Sequence, residues 1–389
     1  MWAQKKNSLS EVRKNIEILG IKLPKVIHVA GTNGKGSVCA YLSNILIENH
    51  MKVGTFISPH LIEVNERILL DMTPISDREL ESISKYVREK LGNSDTSPTY
   101  FEYIFYIATV FFSKSNPDYV ILETGMGGRL DVTNVFEDTL SIITSIGMDH
   151  MQFLGNSIKE IAYEKACIIK DNSTVIFDDS NEEANEIIRE FAKAKAAKII
   201  PLSDFDYESL KFTYVKYKKK AAALAILGAG QLLNTIDNID EAVTKTVWHG
   251  RMEEIEKDII IDGAHNEPAI IEFTDNAMKL AKVNNKKIKL LISVVKDKEV
   301  ERIFDIITSK LEVKKYYLTA MNSYRSNSTD ELYNSLNILL EKNKRQSKIS
   351  CYNSSIEAFN EAKKEKADDE ILFCVGSLYL MGEILEVNR

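Results

Sequence analysis

Cysteine is scarce and scattered in this chain. Cys39, Cys167, Cys351 and Cys374 are the four in 389 residues, and none shows paired metal-ligand spacing. That excludes a disulfide framework and a zinc knuckle, and makes a reducing cytoplasm the expected compartment. Proline and glycine are few, at 7 and 17 residues, leaving the composition of an ordinary globular protein. There is no basic excess: the formal net charge of -7 argues against a general nucleic-acid binder. The one dense lysine run, KYKKK (Lys216 to Lys220), reads as a solvated turn or strand edge. No apolar run exceeds AAALAILGA, far short of a bilayer span, and the opening MWAQKKNSLSEVRKN is too polar for a secretory signal.

What the chain does contain is alternation. KVIHVAG, KVGTFIS, YVILETG, LSIITSIG, STVIF and KIIPLS read as strands, with helical patterns such as SVCAYLSNILIENH and FEYIFYIATVFFSK between them. Near-continuous Val/Ile/Leu runs of this length suit a parallel sheet covered on both faces. A second series, DIIIDGA, IKLLISV, KYYLTA and ILFCVGS, begins after VWHGRME. The boundary therefore falls near Trp248 to Arg251, giving expected domains 1–247 and 248–389. Open α/β sheets bind ligands beyond the carboxyl ends of their strands, where GTNGKGS, SPH, ETGMGG, GMDH and DGAHN all fall. These loops are expected to converge on one cleft, with DGAHN supplied by the second domain.

HVAGTNGKGSV is the strongest local signal. A strand, a glycine loop with Gly34 and Lys35, and then a helix make a phosphate cradle, in which backbone N–H groups face the anion and lysine supplies a point charge. The pattern departs from the standard P-loop, because Gly36 separates Lys35 from Ser37. In ETGMGGRLDVTN, Glu123 ends a buried strand and suits Mg²⁺, or else caps a helix or pairs with Arg129. Asp149 and His150 end the next strand, and His150 gains weight only in combination with Glu123. IIIDGAHN offers Asp262, His265 and Asn266 for nucleotide contact, with Asp262 toward a ribose hydroxyl, or forms a simple turn. In LGAGQLLN, Gln231 and Asn234 fall one helical turn apart, and Arg251 in HGRME makes an interdomain ion pair or clamps a phosphate.

SIKEIAYEKACIIK (Ser157 to Lys170) reads as an amphipathic helix whose apolar stripe includes Lys165 among Ile158, Ile161, Ala162, Ile168 and Ile169. A buried ammonium is costly unless paired, neutralised or chemically changed. Periodicity alone leaves Lys165 between a snorkelling lysine and a functional one.

Together HVAGTNGKGSV, FISPHLIEVNERI, ETGMGGRLDVTN, IGMDHMQFLGNSIKEIAYEKACIIK, GRMEEI, IDGAHN and CVGSLYL resemble the folylpolyglutamate synthase/dihydrofolate synthase family of Mur-ligase-like ATP-dependent amide synthases. The resemblance runs from His28 to Leu380. It implies a Mur-ligase-like α/β fold: an N-terminal P-loop ATPase domain with a mostly parallel sheet, and a smaller C-terminal Rossmann-like α/β domain. It also implies that a folate γ-carboxylate becomes an acyl phosphate on ATP, and that the amine of glutamate then displaces phosphate. Such chemistry needs charge neutralisation and alignment, not a protein nucleophile.

By that resemblance Asn33, Gly34, Lys35 and Gly36 hold the ATP phosphates, and Ser37, Ser58, Glu123 and His150 coordinate Mg²⁺. Asn234, Arg251 and Asp262 contact ATP, and His265 lies beside the reaction centre. Lys165 matches the family's lysine that takes up CO₂ as a carbamate, an anion able to bind Mg²⁺. The pterin side uses Thr99, Tyr100, Phe101 and Glu102, whose aromatic faces can stack on a flat ring, with Arg129 and Asp131 beside them. The family pattern is departed from in a short leader, in a short segment between Lys170 and Gly228, and in SYRS (Ser323 to Ser326), a faint echo of a basic motif.

The primary expectation is polyglutamylation of reduced folates, alone or bifunctionally; the alternative is a dihydrofolate synthase joining glutamate to dihydropteroate. A cell-wall peptide ligase would need a further N-terminal domain for its UDP group. A non-catalytic nucleotide-binding regulator is disfavoured by the presence of Lys35, Glu123, His150 and Lys165. The expected partners are small molecules only, with no nucleic acid and no membrane; the expected state is a monomer, and a K⁺ requirement stays open.

Overall fold

The computed structural model describes residues 6–92, 97–137, 139–296, 298–323 and 325–388; Tyr324 of SYRS lies outside them. The chain divides into two compact units, Met1–Val247 and Trp248–Arg389.

The first unit is built on an eight-stranded sheet of β1 (Lys25–Ala30), β2 (Val53–Phe56), β3 (Ile68–Leu70), β4 (Thr73–Pro74), β5 (Tyr119–Glu123), β6 (Thr139–Ile143), β7 (Thr174–Phe177) and β8 (Lys198–Pro201). Their order is β4-β3-β2-β5-β1-β6-β7-β8. Pairing is parallel except at the β2–β3 and β3–β4 edge. The β1, β5 and β6 side chains are buried almost throughout, because helices cover both faces. Register aligns the strand ends: Val29 of β1 lies opposite Glu123 of β5, and Ala30 opposite Ile143 of β6. Three strands therefore finish level with one another, at one edge.

The second unit holds β9 (Glu253–Glu256), β10 (Ile259–Asp262), β11 (Lys287–Ile292), β12 (Val313–Thr319), β13 (Lys348–Tyr352) and β14 (Glu370–Val375), in the order β13-β12-β11-β14-β10-β9. Only β9 runs antiparallel. Among the described residues no helix is long and apolar enough to cross a membrane.

Several local expectations change. The helix expected over Ser157–Lys170 covers only Ile158–Ala166 and is closed by Cys167. Ile168 and Ile169 remain buried beyond it, so apolar spacing outlasts the helix itself. KYKKK is neither turn nor strand edge; it opens the helix Lys216–Ala229. Its alanine-rich continuation lies against the helix Lys35–Glu48, and Gly228 sits close to Leu42 and Ile142. Lys219 and Lys220 are held by Glu208 and Asp178. The short or half-exposed β3, β4, β9 and β13 have no sequence signature because they carry too few buried positions to repeat a pattern.

Candidate active site

The loop between β1 and the helix Lys35–Glu48 is shaped by the residues that follow β6. At Gly31, with φ 149°, a β-carbon would lie 1.7 Å from Thr144 Oγ1, so only glycine fits. Thr144 Oγ1 donates to Asn33 O at 2.7 Å, and Thr32 N donates to Ser145 O at 2.7 Å. Gly34 precedes the helix at φ 86° and offers no side-chain cap. The first helical N–H groups are thus left for an anion, as the phosphate cradle requires. Lys35 Nζ folds back on Gly31 O at 3.2 Å and Thr32 O at 3.3 Å. The Ser37 hydroxyl is buried with no hydrogen-bond partner, an orphan that a cation would satisfy.

Glu123 is 4% exposed, and its Oε2 accepts from Ser58 N at 2.9 Å. Beside it Thr124 donates its N–H to Val29 O at 2.9 Å, while its hydroxyl is buried and unpartnered. Nothing in the sequence marked Thr124. His150 sits at φ 50° and donates its N–H to Asp149 Oδ1 at 2.9 Å. Among the described residues no three His, Cys, Asp or Glu groups gather closely enough to hold a metal. One carboxylate and one hydroxyl suit Mg²⁺, which keeps most of its shell for waters and phosphates.

Lys165 is 3% exposed, and its ammonium donates to Gly31 O at 2.8 Å. It therefore shares an acceptor with Lys35. Burial pushes its pKa down to about 7, and the Lys35 charge pushes the same way. The turn bearing it is strapped to the ETGMGG loop: Arg129 N donates to Glu164 O at 2.8 Å, and Arg129 Nε meets Glu164 Oε1 at 2.8 Å. A β-carbon on Gly128 would come within 2.6 Å of Glu164 O. Asp131, 1% exposed, anchors the same loop from inside; its Oδ2 accepts from Gly125 N and Met126 N, each at 3.0 Å.

In the proposed pterin segment, Thr99 and Glu102 form a capping box for the helix Tyr100–Ser115. Glu102, 2% exposed, also accepts from Asn7 N at 2.7 Å. Phe101 packs its ring on Gly125 and lies 5.6 Å from Phe56. Tyr100 is exposed, with the Arg67 guanidinium 5.9 Å over its ring.

The structure does not bring Asn234 to the phosphate loop. The helix Lys216–Ala229 has ended before it, so Gln231 and Asn234 share no helical face. Gln231 takes Lys198 of the β8 start at 3.0 Å, Tyr119 of the β5 start donates to Leu232 O at 3.1 Å, and Asn49 holds Asp237 at 2.8 Å. These partners lie at the amino edge, roughly 20 Å from Lys35 by the length of the helix Lys35–Glu48. The carboxyl edge is reached instead by Lys220, which meets Asp178 at 3.2 Å and Ser180 at 3.1 Å. The signal for this was KYKKK running straight into an alanine-rich apolar stretch.

In the second unit Asp262 is 3% exposed, accepting from Met252 N at 2.9 Å and Ala264 N at 2.8 Å. Arg251 Nη1 lies against Gly263, and Gly263 N donates to Gly250 O at 2.8 Å. His265 Nδ1 meets Gly263 O at 2.7 Å. A carbonyl only accepts, so Nδ1 carries a proton.

A family model described as Mur ligase middle domain matches residues 29–239, more than half of the chain. Another, described as Dihydrofolate synthetase, C-terminal domain, matches residues 245–387. A dihydrofolate synthase/folylpolyglutamate synthase of Bacillus subtilis is 34% identical across 92% of this chain and 89% of that one. The chain belongs to the dihydrofolate synthase/folylpolyglutamate synthase family. A probable dihydrofolate synthetase of Schizosaccharomyces pombe is 30% identical across 92% of each chain. E. coli FolC in complex with DHPP and ADP matches with a TM-score of 0.88 at 26% identity, covering 99% of this chain and 94% of that one. The Mur-ligase-like α/β fold expected of this family is the fold observed.

Proposed function

We propose that this family member uses ATP to join L-glutamate to the γ-carboxylate of a reduced folate, forming ADP and phosphate, and accepts dihydropteroate as well. The observation that carries this reading is the phosphate loop itself. It has open first-turn N–H groups, Lys35 and an orphan Ser37 hydroxyl, with the buried amine of Lys165 bonded to the same loop. The names of relatives such as the Bacillus subtilis protein, given for both activities, support the two acceptors.

In this reading a folate carboxylate oxygen attacks the γ-phosphorus of ATP and ADP leaves. The glutamate amine then attacks the acyl carbon, loses a proton and expels phosphate. Loop N–H groups of Asn33 to Gly36 and the Lys35 ammonium hold the phosphates in line. Ser37 and Glu123, with Ser58 and His150, would hold Mg²⁺, which would supply neutralisation of phosphate charge. Lys165, neutral above about pH 7, attacks the carbon of CO₂ through Nζ and releases a proton, becoming a carbamate, an anion of the charge and oxygen type that would suit Mg²⁺. Arg251 and Asp262 are assigned to ATP, and His265 to a place beside the reaction centre. Tyr100 and Phe101 offer aromatic faces to the pterin, on an edge that Thr99 and Glu102 cap and Asp131 braces. The unpaired cysteines support a reducing cytoplasm.

The test is phosphate release at fixed ATP, Mg²⁺ and glutamate, comparing tetrahydrofolate with dihydropteroate, and K⁺ with Na⁺ as the counter-ion. Release with both acceptors is expected; release with only one removes the bifunctional claim. No release with either removes the ligase reading.

A further inference from the structure

One buried side chain has no part in the chemistry above. His28, on β1 and three residues before the phosphate loop, is fully buried. Its Nε2 lies 2.7 Å from Thr133 Oγ1, which in turn lies 2.7 Å from Asp131 Oδ1. A threonine hydroxyl has one proton, and the carboxylate can only accept it. Nε2 must therefore donate, and His28 is the Nε2–H tautomer. This agrees with Nδ1, which is buried without a partner: an unpaired acceptor is more tolerable than an unpaired N–H. Burial, reinforced by Lys170, holds the ring neutral, with its pKa lowered to about 3.

From Asp131 the chain of bonds continues to Gly125 N and Met126 N. That loop starts at Glu123, rests on Phe101 through Gly125 and reaches the Lys165 turn through Gly128. We infer that His28 is a positioning residue: through Thr133 and Asp131 it ties the strand that leads to the phosphate loop to the loop shared by the metal carboxylate, the aromatic segment and Lys165. The loop that receives the acceptor is thereby fixed relative to the phosphates. The inference rests on the ligase reading for its effect on turnover, but the tautomer does not.

The experiment uses the full-length protein, as wild type, His28→Gln and His28→Phe. Two-bond ¹H–¹⁵N spectra of histidine-labelled wild type, with His28 assigned by its loss in His28→Gln, are expected to show protonated Nε2 and bare Nδ1. Glutamine can still donate to Thr133, so turnover should survive in His28→Gln. Phenylalanine cannot, and its kcat should fall about 10- to 100-fold, the usual cost of losing a supporting hydrogen bond around a site. ADP affinity should not change in either variant, since the loop's own bonds are untouched. A protonated Nδ1, an undiminished kcat in His28→Phe, or equal losses in both variants would overturn the inference. If His28→Phe does not fold, the tautomer and His28→Gln decide. A wild type that releases no phosphate overturns the ligase reading instead, leaving the tautomer to decide the hydrogen-bond chain.

Discussion

Replacing Lys165 with methionine removes a charge that the fold holds in apolar surroundings while keeping the side chain's length. The amine's fall from 10.5 to about 7 corresponds to at most about 5 kcal/mol, taking roughly 1.4 kcal/mol for each tenfold change in proton affinity. Water entry and relaxation reduce that figure. The sign follows from proton counts. Below pH 7 the amine is charged in both folded and unfolded chains, and the folded chain bears the full penalty. Between about 7 and 10.5 the folded chain gives up the proton while the unfolded chain keeps it, so stability rises with pH. In CO₂-free buffer the methionine variant should therefore exceed wild type most below pH 7, with the gap closing as pH rises toward 10.5. Loss of the bond to Gly31 O adds a constant offset and does not bend the curve. Urea denaturation followed by far-UV circular dichroism across that range measures it, and a gap independent of pH would refute the burial argument. Adding bicarbonate above pH 7 should stabilise wild type alone, because a carbamate forms only on the native amine. Equal responses in both proteins would remove the carbamate but leave the burial.

Other substitutions probe other parts of the site. Lys35→Ala removes the loop's point charge and should weaken ADP binding about 10- to 100-fold by calorimetry, the worth of a charged hydrogen bond. Asn234→Ala should leave the KM for ATP unchanged, since Asn234 follows a helix that ends at the opposite sheet edge; a large rise would contradict that placement. Lys220→Ala removes the ammonium from Asp178, 4% exposed, leaving it the Ser180 N–H, and should cost about 2 kcal/mol in urea denaturation, the worth of a hydrogen bond to a charged group. Thr99→Ala should cost about 1 kcal/mol through its lost cap; no loss would mean that the capping box contributes nothing.

Much of the architecture was legible locally. β1, β5, β6 and β10 announce themselves as unbroken Val/Ile/Leu runs, because a strand buried on both faces has no polar side to show. The phosphate loop was legible for a related reason. Gly31 and Gly34 are demanded by backbone angles, and Lys35 by charge, so identity and spacing carry the information together. Lys165 was visible as a misfit, a cation inside an apolar stripe. Other features had no local signature. KYKKK looked like a surface run, yet the helix it opens is set by alanines packing on the helix Lys35–Glu48. Asn234 matched a motif fragment but lies past the helix end that was meant to present it. Thr124 is one hydroxyl among many until burial leaves it without a partner. His28 is distant in sequence from Thr133 and Asp131, and only the parallel alignment of β1 with β5 and β6 brings the three into one hydrogen-bonded line. Periodicity and glycine spacing are properties of a few neighbouring residues, so the sequence alone determined the buried strands, the phosphate loop and the buried lysine. A hydrogen bond between residues a hundred positions apart depends on sheet register, so the tertiary structure alone decided what holds those parts in place.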